Sequence, residues 1–466
     1  MNNNKAEIFF DKVKGKKIAF CGIGVSNTPL VSLFLKKGAQ AYVCDRRTKD
    51  KLGEVADVLE AQGATLCLGD GYLDHLDEMD IVFRTPGMRF DLPELESARK
   101  HNVAVTSEME VFFDLCPCPI YAVSGSDGKT TTTTIISEFF KAMGKKVHLG
   151  GNIGRALLPL IEEVEPDDVA VVELSSFQLI SLRHSPDVAV LTNITPNHLD
   201  MHKDMAEYIN AKRNLYLHQN AFSRTVLNLD NDITAGFLNE VRGQGLTFSR
   251  KEIPVQGAYL ADNGMLMMNY AGEKIPLFPS EDIRILGKHN IENYLAAISA
   301  VWGVVPIKIM HRVAKIFNGV EHRAEFVREV DGVKYYNDSI ASSPTRVISG
   351  TLSLYQQKIL LIAGGYDKKI PFDALGPVVV EKVKTLILMG VTADKIEAAV
   401  KAAPDYEEGC PAIYRVKNME EAVELAHSLA KRGDIVSLSP ACASFDLYPN
   451  FEVRGRHYKS LVNGLK

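Results

Sequence analysis

The stretch that most constrains this chain is an apolar run followed by a glycine-rich turn and a threonine-rich segment. Residues Ile120–Val123 form the apolar run, two glycines follow Ser124, and Lys129 precedes five consecutive threonines. A strand that ends in such a turn and opens a helix points several backbone N–H groups into one small concavity, which binds phosphate. The spacing predicts that Lys129 reaches the β- and γ-phosphates of ATP and that the Thr130 hydroxyl holds Mg²⁺.

The match to the P-loop pattern is incomplete, because Ala122 stands where the full pattern has glycine. A glycine-rich surface turn before a helix is the alternative interpretation. The apolar strand before the turn and a predicted helix over 130–143 favour a phosphate site. The predicted ATP-binding loop consists of Gly125, Ser126, Asp127, Gly128, Lys129, Thr130 and Thr131.

Length and charge narrow the class of protein. A chain of 466 residues is too long for one core and indicates about three domains. The 53 basic and 58 acidic residues are mixed along the sequence, which argues against a nucleic-acid surface. The N-terminus carries no apolar signal core, and apolar runs fall short of the ~18 residues that a membrane span needs. We therefore expect a cytoplasmic protein without a membrane or nucleic-acid partner.

The seven cysteines are scattered without the spacing of a zinc site. Cys116 and Cys118 form the one close pair, separated by a proline. That spacing is poor geometry for a shared metal ion. Ordinary reduced thiols are the expected state.

The first segment has the outline of a Rossmann unit. A strand over 17–21 runs into Gly22-Ile-Gly24, a helix is predicted over 29–37, and a second strand over 41–45 ends in an acid. Asn27 replaces the third glycine of the dinucleotide fingerprint. NAD, a mononucleotide and a sugar nucleotide all remain compatible with this pattern. A further strand over 81–84 ends at Thr85-Pro-Gly87, where ligands bind in such sheets.

The second segment places polar residues at the ends of two apolar strands. Glu173 follows Val-Ala-Val-Val and is expected to hold Mg²⁺ beside the P-loop. The alternative is a salt-bridged or capping acid, although burying an unpartnered carboxylate in a strand is costly. His198 follows the strand over 187–193 and is either a functional residue or a loop histidine satisfied by hydrogen bonds.

The third segment again alternates strands and helices. Apolar strands are predicted over 333–336, 359–363, 385–389 and 434–439, with helices over 394–402 and 419–431. The whole chain is therefore predicted to be α/β, with a Rossmann-like N-terminal domain, a P-loop NTPase-like central domain and a Rossmann-like C-terminal domain. The predicted domains are 1–116, 117–322 and 323–466.

With these motifs in order, nearly the whole chain resembles the Mur ligase family of peptidoglycan synthesis. The P-loop variant Gly-Ser-Asp-Gly-Lys-Thr-Thr is one signature of that family. Its other signatures match Gly151–Gly154, Glu173–Gln178, Asn193–His198, Gly287–Asn293 and Glu321–Arg323. Within the family, the Rossmann-like first domain, the Asn337–Ser343 motif and the motifs at 439–446 and 451–455 resemble the D-glutamate-adding branch.

The resemblance implies an ATP-dependent acid–amino-acid ligase that works through an acyl phosphate. Its substrates would be UDP-N-acetylmuramoyl-L-alanine and D-glutamate, its cofactors ATP and two Mg²⁺ ions, and its working state a monomer. The first domain would bind the UDP-sugar, the second ATP and the third the amino acid. Lys212 matches a lysine that family members carry as a carbamate, whereas the sequence alone indicates a solvated helix face.

Further site residues follow from the resemblance. The catalytic residues would be Lys129, His198 and Lys212, and the metal ligands Thr130, Glu173, His198 and Lys212. The adenosine side would meet Asn293, Arg323 and Asp338. The other substrates would meet Ser26, Asp45, Arg46, Thr85, Gly87, Asn152, Ser175, Ser342, Lys368, Ser444 and Phe451.

One departure concerns charge near the amino-acid substrate. Many relatives carry lysine where this chain has Ile340, so the partner of the D-glutamate carboxylates is left open between Arg346 and Lys369. Three other functions remain as alternatives: another Mur-type ligase (L-alanine-adding or folylpolyglutamate synthase), a nicotinamide-dependent oxidoreductase, and a non-enzymatic nucleotide switch.

Overall fold

A computed structural model describes residues 4–198 and 201–466. The chain divides into two compact units, one of Met1–Ile283 with Lys288–Lys315 and one of Arg284–Gly287 with Ile316–Lys466. None of the helices in the described ranges is long and apolar enough to cross a membrane.

The first unit begins with a parallel sheet of order β3-β2-β1-β4-β5. Short apolar strands alternate with amphipathic helices, which cover both faces as a parallel sheet requires. The elements are α1 (Asn4–Val13), β1 (Lys17–Cys21), α2 (Asn27–Lys36), β2 (Gln40–Asp45), α3 (Lys49–Leu52), α4 (Glu54–Ala61), β3 (Thr65–Leu68), β4 (Ile81–Arg84), α5 (Pro93–Lys100), β5 (Ala104–Thr106) and α6 (Glu108–Leu115).

Aromatic side chains fix the packing of α2 against this sheet. The Phe34 ring of α2 lies 5.5 Å from Phe20 of β1 and 5.1 Å from Phe83 of β4, and both contacts are edge-on. Phe10 of α1 approaches the same ring at 5.9 Å. Edge-to-face contacts at these distances are favourable beyond the area they bury.

The same unit continues with a second parallel sheet of order β11-β10-β9-β6-β8-β7. All five residues of β6 are buried, because this strand lies between β8 and β9 and under helices. The elements are β6 (Ile120–Ser124), α7 (Lys129–Ala142), β7 (Val147–Gly151), β8 (Val169–Glu173), α8 (Ser176–Leu179), β9 (Val188–Leu191), α9 (Met205–Leu217), β10 (Arg224–Asn228), α10 (Asp232–Gly236) and β11 (Gln244–Phe248).

A small antiparallel sheet that the sequence analysis did not predict follows. It consists of β12 (Gly257–Leu260), β13 (Met265–Tyr270) and β14 (Glu273–Pro279), and the helices α11 (Lys288–Val301) and α12 (Ile307–Ile316) come next. Only β13 alternates buried and half-buried residues, and it does so over few positions, whereas β12 and β14 show no alternation. Their pattern is therefore too short to separate from loop sequence.

The second unit contains a sheet of order β15-β16-β20-β17-β18-β19, in which β15 pairs antiparallel with β16 and the other neighbours are parallel. Its elements are β15 (Glu325–Val330), β16 (Val333–Asn337), α13 (Pro344–Arg346), α14 (Leu352–Leu354), β17 (Ile359–Ala363), α15 (Leu375–Lys382), β18 (Val383–Leu388), α16 (Ala393–Lys401), β19 (Ala412–Arg415), α17 (Met419–Leu429), β20 (Ile435–Leu438) and α18 (Phe451–Gly464).

The predicted α/β class and the predicted strands of the three segments are confirmed, with ends that shift by one or two residues. The helix predicted over 130–143 is α7, which begins one residue earlier at Lys129. The helix predicted over 29–37 begins two residues earlier, at Asn27. Asn27 therefore begins a helix and donates its side-chain amide to the carbonyl oxygens of Cys21 and Gly22 at 3.1 and 3.0 Å.

We predict that Phe34→Ala lowers the free energy of unfolding of the first sheet by about 3–5 kcal/mol, because the truncation empties the centre of the aromatic cluster. Urea unfolding read by proteolysis within 1–116 measures the effect. Phe222 is 98% exposed, so the matched change Phe222→Ala should shift stability by less than about 0.5 kcal/mol. Equal effects of the two variants would contradict this account of the core.

Candidate functional site at the P-loop

Two glycines shape the loop between β6 and α7. Gly125 has φ +148° and Gly128 has φ +78°, values that side-chain-bearing residues rarely adopt. A Cβ on Gly125 would lie 1.9 Å from Thr192 Oγ1, and a Cβ on Gly128 would lie 2.4 Å from Asn293 Oδ1. The loop therefore packs so closely on its neighbours that only glycine fits at these positions. The first-turn amides of α7 follow directly, as an anion site requires.

The segment after β9 holds the P-loop in place through hydrogen bonds. Asn193 accepts from the Asp127 N–H through Oδ1 at 2.9 Å and donates to the Asp127 carbonyl at 3.2 Å. Thr192 Oγ1 donates to the same carbonyl at 2.5 Å. Ser126 donates its N–H to the Asn193 carbonyl at 2.8 Å. Asn193 belongs to a motif that the sequence analysis quoted, and its contacts show a loop-positioning role for it.

Lys129 bends back over the loop. Its Nζ donates to the carbonyl oxygens of Gly125 at 3.0 Å and Ser126 at 2.9 Å. These two backbone carbonyls hold the Lys129 ammonium group over the loop. The prediction that Lys129 reaches the β- and γ-phosphates stays a prediction.

Glu173 ends β8 directly beside the loop, since β8 pairs with β6 in the register Val123↔Glu173. Its Oε1 accepts from Asn152 Nδ2 at 2.7 Å. Its Oε2 is buried and has no hydrogen-bond partner among the described residues. A buried carboxylate oxygen without a donor favours a bound cation, so this donor set fits a hard ion such as Mg²⁺.

Acid and imidazole side chains alone do not complete a metal site here. Within 4–198 and 201–466, no three His, Cys, Asp or Glu side chains stand close enough together to hold an ion. Other oxygen ligands, such as the Thr130 hydroxyl or substrate phosphates, would have to complete the coordination.

Lys212 is buried, with an exposed fraction of 1%, so its interpretation as a solvated helix face is wrong. Its Nζ donates to the Gly125 carbonyl at 2.7 Å and to Ser124 Oγ at 3.3 Å, and it lies 4.8 Å from the centre of the Tyr208 ring. Burial, reinforced by the charge of Lys129, lowers the pKa of Lys212 to about 7. A substantial share of this amine is therefore neutral near neutral pH.

His198 lies in the loop after β9 with a left-handed backbone, φ +55°. Its side chain is exposed, and its ring meets Phe177 edge-on at 5.3 Å. Phe177 also contacts His202, whose ring stacks on the Phe177 ring at 5.1 Å between centroids. His202 was not among the predicted site residues, although a second histidine four residues after His198 was a usable signal.

His202 belongs to a buried polar network. Its Nε2 lies 2.8 Å from Ser176 Oγ and its Nδ1 lies 3.2 Å from Glu207 Oε2. Glu207 in turn accepts from Arg89 at 2.8 Å, and this pairing lowers the pKa of Glu207 to about 2. The loop after β4 is thereby tied to the start of α9, the helix that carries Lys212. Arg89 lies more than a hundred residues from Glu207, so no local pattern signals the pair.

Three other predicted residues of this unit make structural contacts. Asn152 is the donor to Glu173 already described. Ser175 is the N-cap of α8, and its hydroxyl accepts from the Gln178 N–H at 3.3 Å in a capping box. Asn293 is buried and accepts from Thr132 Oγ1 at 3.2 Å.

Predicted residues of the first sheet gather at the carboxyl ends of its strands. Ser26, Asp45, Arg46, Thr85 and Gly87 follow or end β1, β2 and β4. Asp45 Oδ2 accepts from the Ile23 N–H at 2.8 Å and from Arg47 Nη2 at 2.8 Å. Burial opposes ionisation, but the bonds from Arg47 and Ile23 lower the pKa of Asp45 overall. The sequence analysis missed Arg47, which directly follows the predicted pair.

In the second unit, Asp338 is buried at the end of β16 and Arg323 is exposed. Asp338 Oδ1 accepts from the Ala324 N–H at 3.1 Å, and Oδ2 accepts from Thr351 and from Ser439 Oγ at 3.3 Å. Burial raises the pKa of Asp338 to about 6. All three of these partners belong to the second unit, so the Asp338 carboxylate stabilises the fold of that unit.

The structure brings Lys368 and Ser342 together, with Nζ 3.3 Å from Oγ. Ser444 is buried. Arg454 follows it in the sequence and donates to the carbonyls of Cys442 and Ala443 and to both oxygens of Ser339. The Phe451 carbonyl accepts from Ser339 Oγ at 2.8 Å. Arg454 lay inside a quoted motif, but the sequence analysis gave it no role.

Three family comparisons agree with this architecture. The Mur ligase MurD-like N-terminal domain matches residues 16–107, the Mur ligase middle domain matches 123–301, and the Mur ligase glutamate ligase domain matches 322–442. Together these ranges cover most of the chain.

Curated relatives match over the full length. A UDP-N-acetylmuramoylalanine–D-glutamate ligase of Acetivibrio thermocellus is 50% identical over 467 residues, which cover 100% of both chains. A Clostridium botulinum protein of the same name is 48% identical over 98% of both chains.

Solved structures match in fold. The UDP-N-acetylmuramate-alanine ligase of Thermotoga maritima is 17% identical with a TM-score of 0.57, over 97% of this chain and 100% of that one. A UDP-N-acetylmuramoyl-L-alanyl-D-glutamate–2,6-diaminopimelate ligase is 16% identical with a TM-score of 0.56, over 92% of this chain and 93% of that one. The similarity predicted from the motifs is confirmed, and this chain belongs to the Mur ligase family.

Proposed function

We propose that this chain is the ATP-dependent ligase that adds D-glutamate to UDP-N-acetylmuramoyl-L-alanine in peptidoglycan precursor synthesis. The convergence of Lys129, Lys212 and Glu173 on the end of β6 carries the chemistry. Full-length relatives named for this reaction support the choice of substrates. The P-loop contacts favour an enzyme that uses a triphosphate over an oxidoreductase.

The reaction joins a carboxylate to an amine, and a carboxylate is a poor electrophile. Transfer of the γ-phosphoryl group of ATP to the carboxylate gives an acyl phosphate, and attack by the D-glutamate amine then expels phosphate. Phosphoryl transfer depends on positioning and on neutralising charge. Lys129 supplies that positive charge, and the loop amides before α7 orient the phosphates.

Magnesium would neutralise phosphate charge during this transfer. The free Oε2 of Glu173 and the Thr130 hydroxyl would hold one ion, and His198 and Lys212 a second. An unmodified amine is a poor ligand for a hard cation. A neutral Lys212 amine can add CO₂ with loss of one proton to solvent, which converts the neutral amine into a carbamate anion with two hard oxygens. The lowered pKa of Lys212 supports this modification.

The other predicted site residues stay part of the proposal. The uridine diphosphate would lie along Ser26, Asp45, Arg46, Thr85 and Gly87, the muramoyl part near Asn152 and Ser175, adenosine near Asn293, Arg323 and Asp338, and D-glutamate near Ser342, Lys368, Ser444 and Phe451. Arg47 already donates hydrogen bonds to both carboxylate oxygens of Asp45. The backbone N–H groups of the turns after the strands are therefore the better candidates for direct contact with the nucleotide.

The domain limits 1–116, 117–322 and 323–466, a monomeric state and a cytoplasmic location complete the proposal. Arg346 Nη1 lies 3.5 Å from the Ile340 carbonyl. This contact keeps the Arg346 guanidinium at the turn of Ile340, where many relatives carry lysine. It therefore favours Arg346 over Lys369 as the cation near the D-glutamate carboxylates.

The first test is phosphate release from ATP with UDP-N-acetylmuramoyl-L-alanine and one amino acid at a time. We expect release and a new amide with D-glutamate, and neither with L-glutamate, L-alanine or no amino acid. Activity of UDP-N-acetylmuramate with L-alanine would indicate the alanine-adding ligase instead. ATP hydrolysis without any amide product would contradict a ligase function altogether.

A second prediction concerns Lys212→Ala, which should abolish most ligase activity because it removes the proposed carbamate. Short-chain carboxylic acids should restore part of the activity, since they return two hard oxygens to the vacated space. Lys141 is exposed and pairs with Glu138 on the surface of α7, so Lys141→Ala is the matched control and should keep full activity. Full activity of Lys212→Ala would refute the role of this side chain.

A third prediction follows from the pKa of Lys212, which is about 7 against an ordinary 10.5. The unfolded chain binds this proton more readily than the folded one between these values, so folding gains stability as pH rises through this window. Compared with Lys212→Met, the wild type should gain up to about 1.4 kcal/mol per pH unit between about pH 7 and about pH 10. Parallel urea titrations of the two proteins measure the difference, and a pH-independent difference would rule out a depressed pKa.

A further inference from the structure

Cys116 and Cys118 lie side by side where α6 ends and β6 begins. Their sulfur atoms are 3.6 Å apart, and Cys116 Sγ also lies 3.5 Å from the Cys118 carbonyl oxygen. The two prolines at 117 and 119 fix the backbone torsions of this linker. Both thiols are therefore held on the same side of a rigid bend.

A surface cavity of about 350 Å³ is lined by both cysteines. His184 lines the same cavity with a side chain that is 60% exposed. The cavity thus connects the nearly buried sulfurs to solvent. Cys116 and Cys118 are 8% and 5% exposed, so a reagent would have to approach the sulfurs through this cavity.

We propose that Cys116 and Cys118 form a dithiol modification site that a low-molecular-weight disulfide oxidises to an intramolecular disulfide. A metal is not the favoured occupant, because no third His, Cys, Asp or Glu in the described ranges completes a cluster. The proposed function of the ligase makes no use of either thiol, and this inference is independent of it.

The step balances as two successive thiol–disulfide exchanges. The Cys116 thiolate attacks one sulfur of the reagent, forms a mixed disulfide and releases the first reagent thiolate. Cys118, after losing its proton to solvent, attacks Cys116 Sγ and releases the second. Two protein thiols are oxidised and one reagent disulfide is reduced to two thiols.

The distance between the sulfurs allows the bond to form, and the directions of the two pKa shifts distinguish the roles of the sulfurs. A disulfide bond is about 2.05 Å long, so the sulfurs must approach by about 1.5 Å, which side-chain rotation can supply. The hydrogen bond from Cys118 lowers the pKa of Cys116, whereas that bond and burial raise the pKa of Cys118. Cys116 is therefore the attacking thiol and Cys118 the resolving one.

The test uses the full-length protein and oxidised glutathione, followed by alkylation, trypsin and mass spectrometry. The tryptic peptide 101–129 contains Cys116 and Cys118 and no other cysteine. We expect this peptide to lose two hydrogen atoms and both alkylation sites, and to regain them with excess reduced glutathione. A peptide that stays doubly alkylated in the folded protein, or that is oxidised only in urea, would overturn the proposal.

Matched variants separate the two roles. Cys118→Ser should stop at a glutathione adduct on Cys116, whereas Cys116→Ser should leave Cys118 largely unmodified. Cys410 is exposed, so a Cys410→Ser background removes its competing adduct. Should a serine variant fold poorly, the wild-type peptide alone still decides, because both thiols lie on it. Adducts confined to Cys410 in the wild type would count against a dithiol site.

Discussion

Burial of the Lys212 amine against the Gly125 carbonyl is the interaction on which the site depends. A cation placed under the P-loop, close to Lys129, is costly unless it loses its proton or gains an anion. The free oxygen of Glu173 lies at the end of the adjacent strand, with its own need for a positive partner. In the proposed function, phosphate, a divalent cation and a carbamate at Lys212 would together compensate the buried Lys212 amine and the buried Glu173 oxygen.

Such a site needs rigid support, and the surrounding polar contacts supply it. The Asn193 amide and the Thr192 hydroxyl hold the loop backbone, and Asn152 holds one oxygen of Glu173 so that the other stays oriented. The Arg89–Glu207 pair fixes the start of the helix that carries Lys212. Each support comes from a different strand end, which explains why the chemistry sits where parallel strands terminate.

Local patterns predicted the parts of this chain that local physics controls. Apolar runs predicted β6, β8 and β17 within a residue or two, and the glycine spacing predicted the P-loop. The burial of Lys212 could not be predicted from the local sequence, because long-range packing decides which face of α9 points inward. Likewise, the ties from Arg89 to Glu207 and from Arg454 to Ser339 join residues far apart in sequence. The family resemblance predicted a site role for Lys212, and the structure shows this side chain buried beside the P-loop, whereas the helical pattern indicated a solvated face.

Motif residues of the second unit act first as parts of its fold. Arg454 donates to the backbone carbonyl of Ser339. Asp338 accepts from Thr351, Ser439 and the Ala324 N–H. Buried charges that are fully hydrogen-bonded hold loops in one arrangement, whereas removing one partner leaves an uncompensated charge. Lys368 is exposed and Ser342 is half-buried, and a side-chain hydrogen bond joins the two. Within this unit, the buried residues therefore set the shape of the loops, and in the proposed function Lys368 and Ser342 would contact D-glutamate.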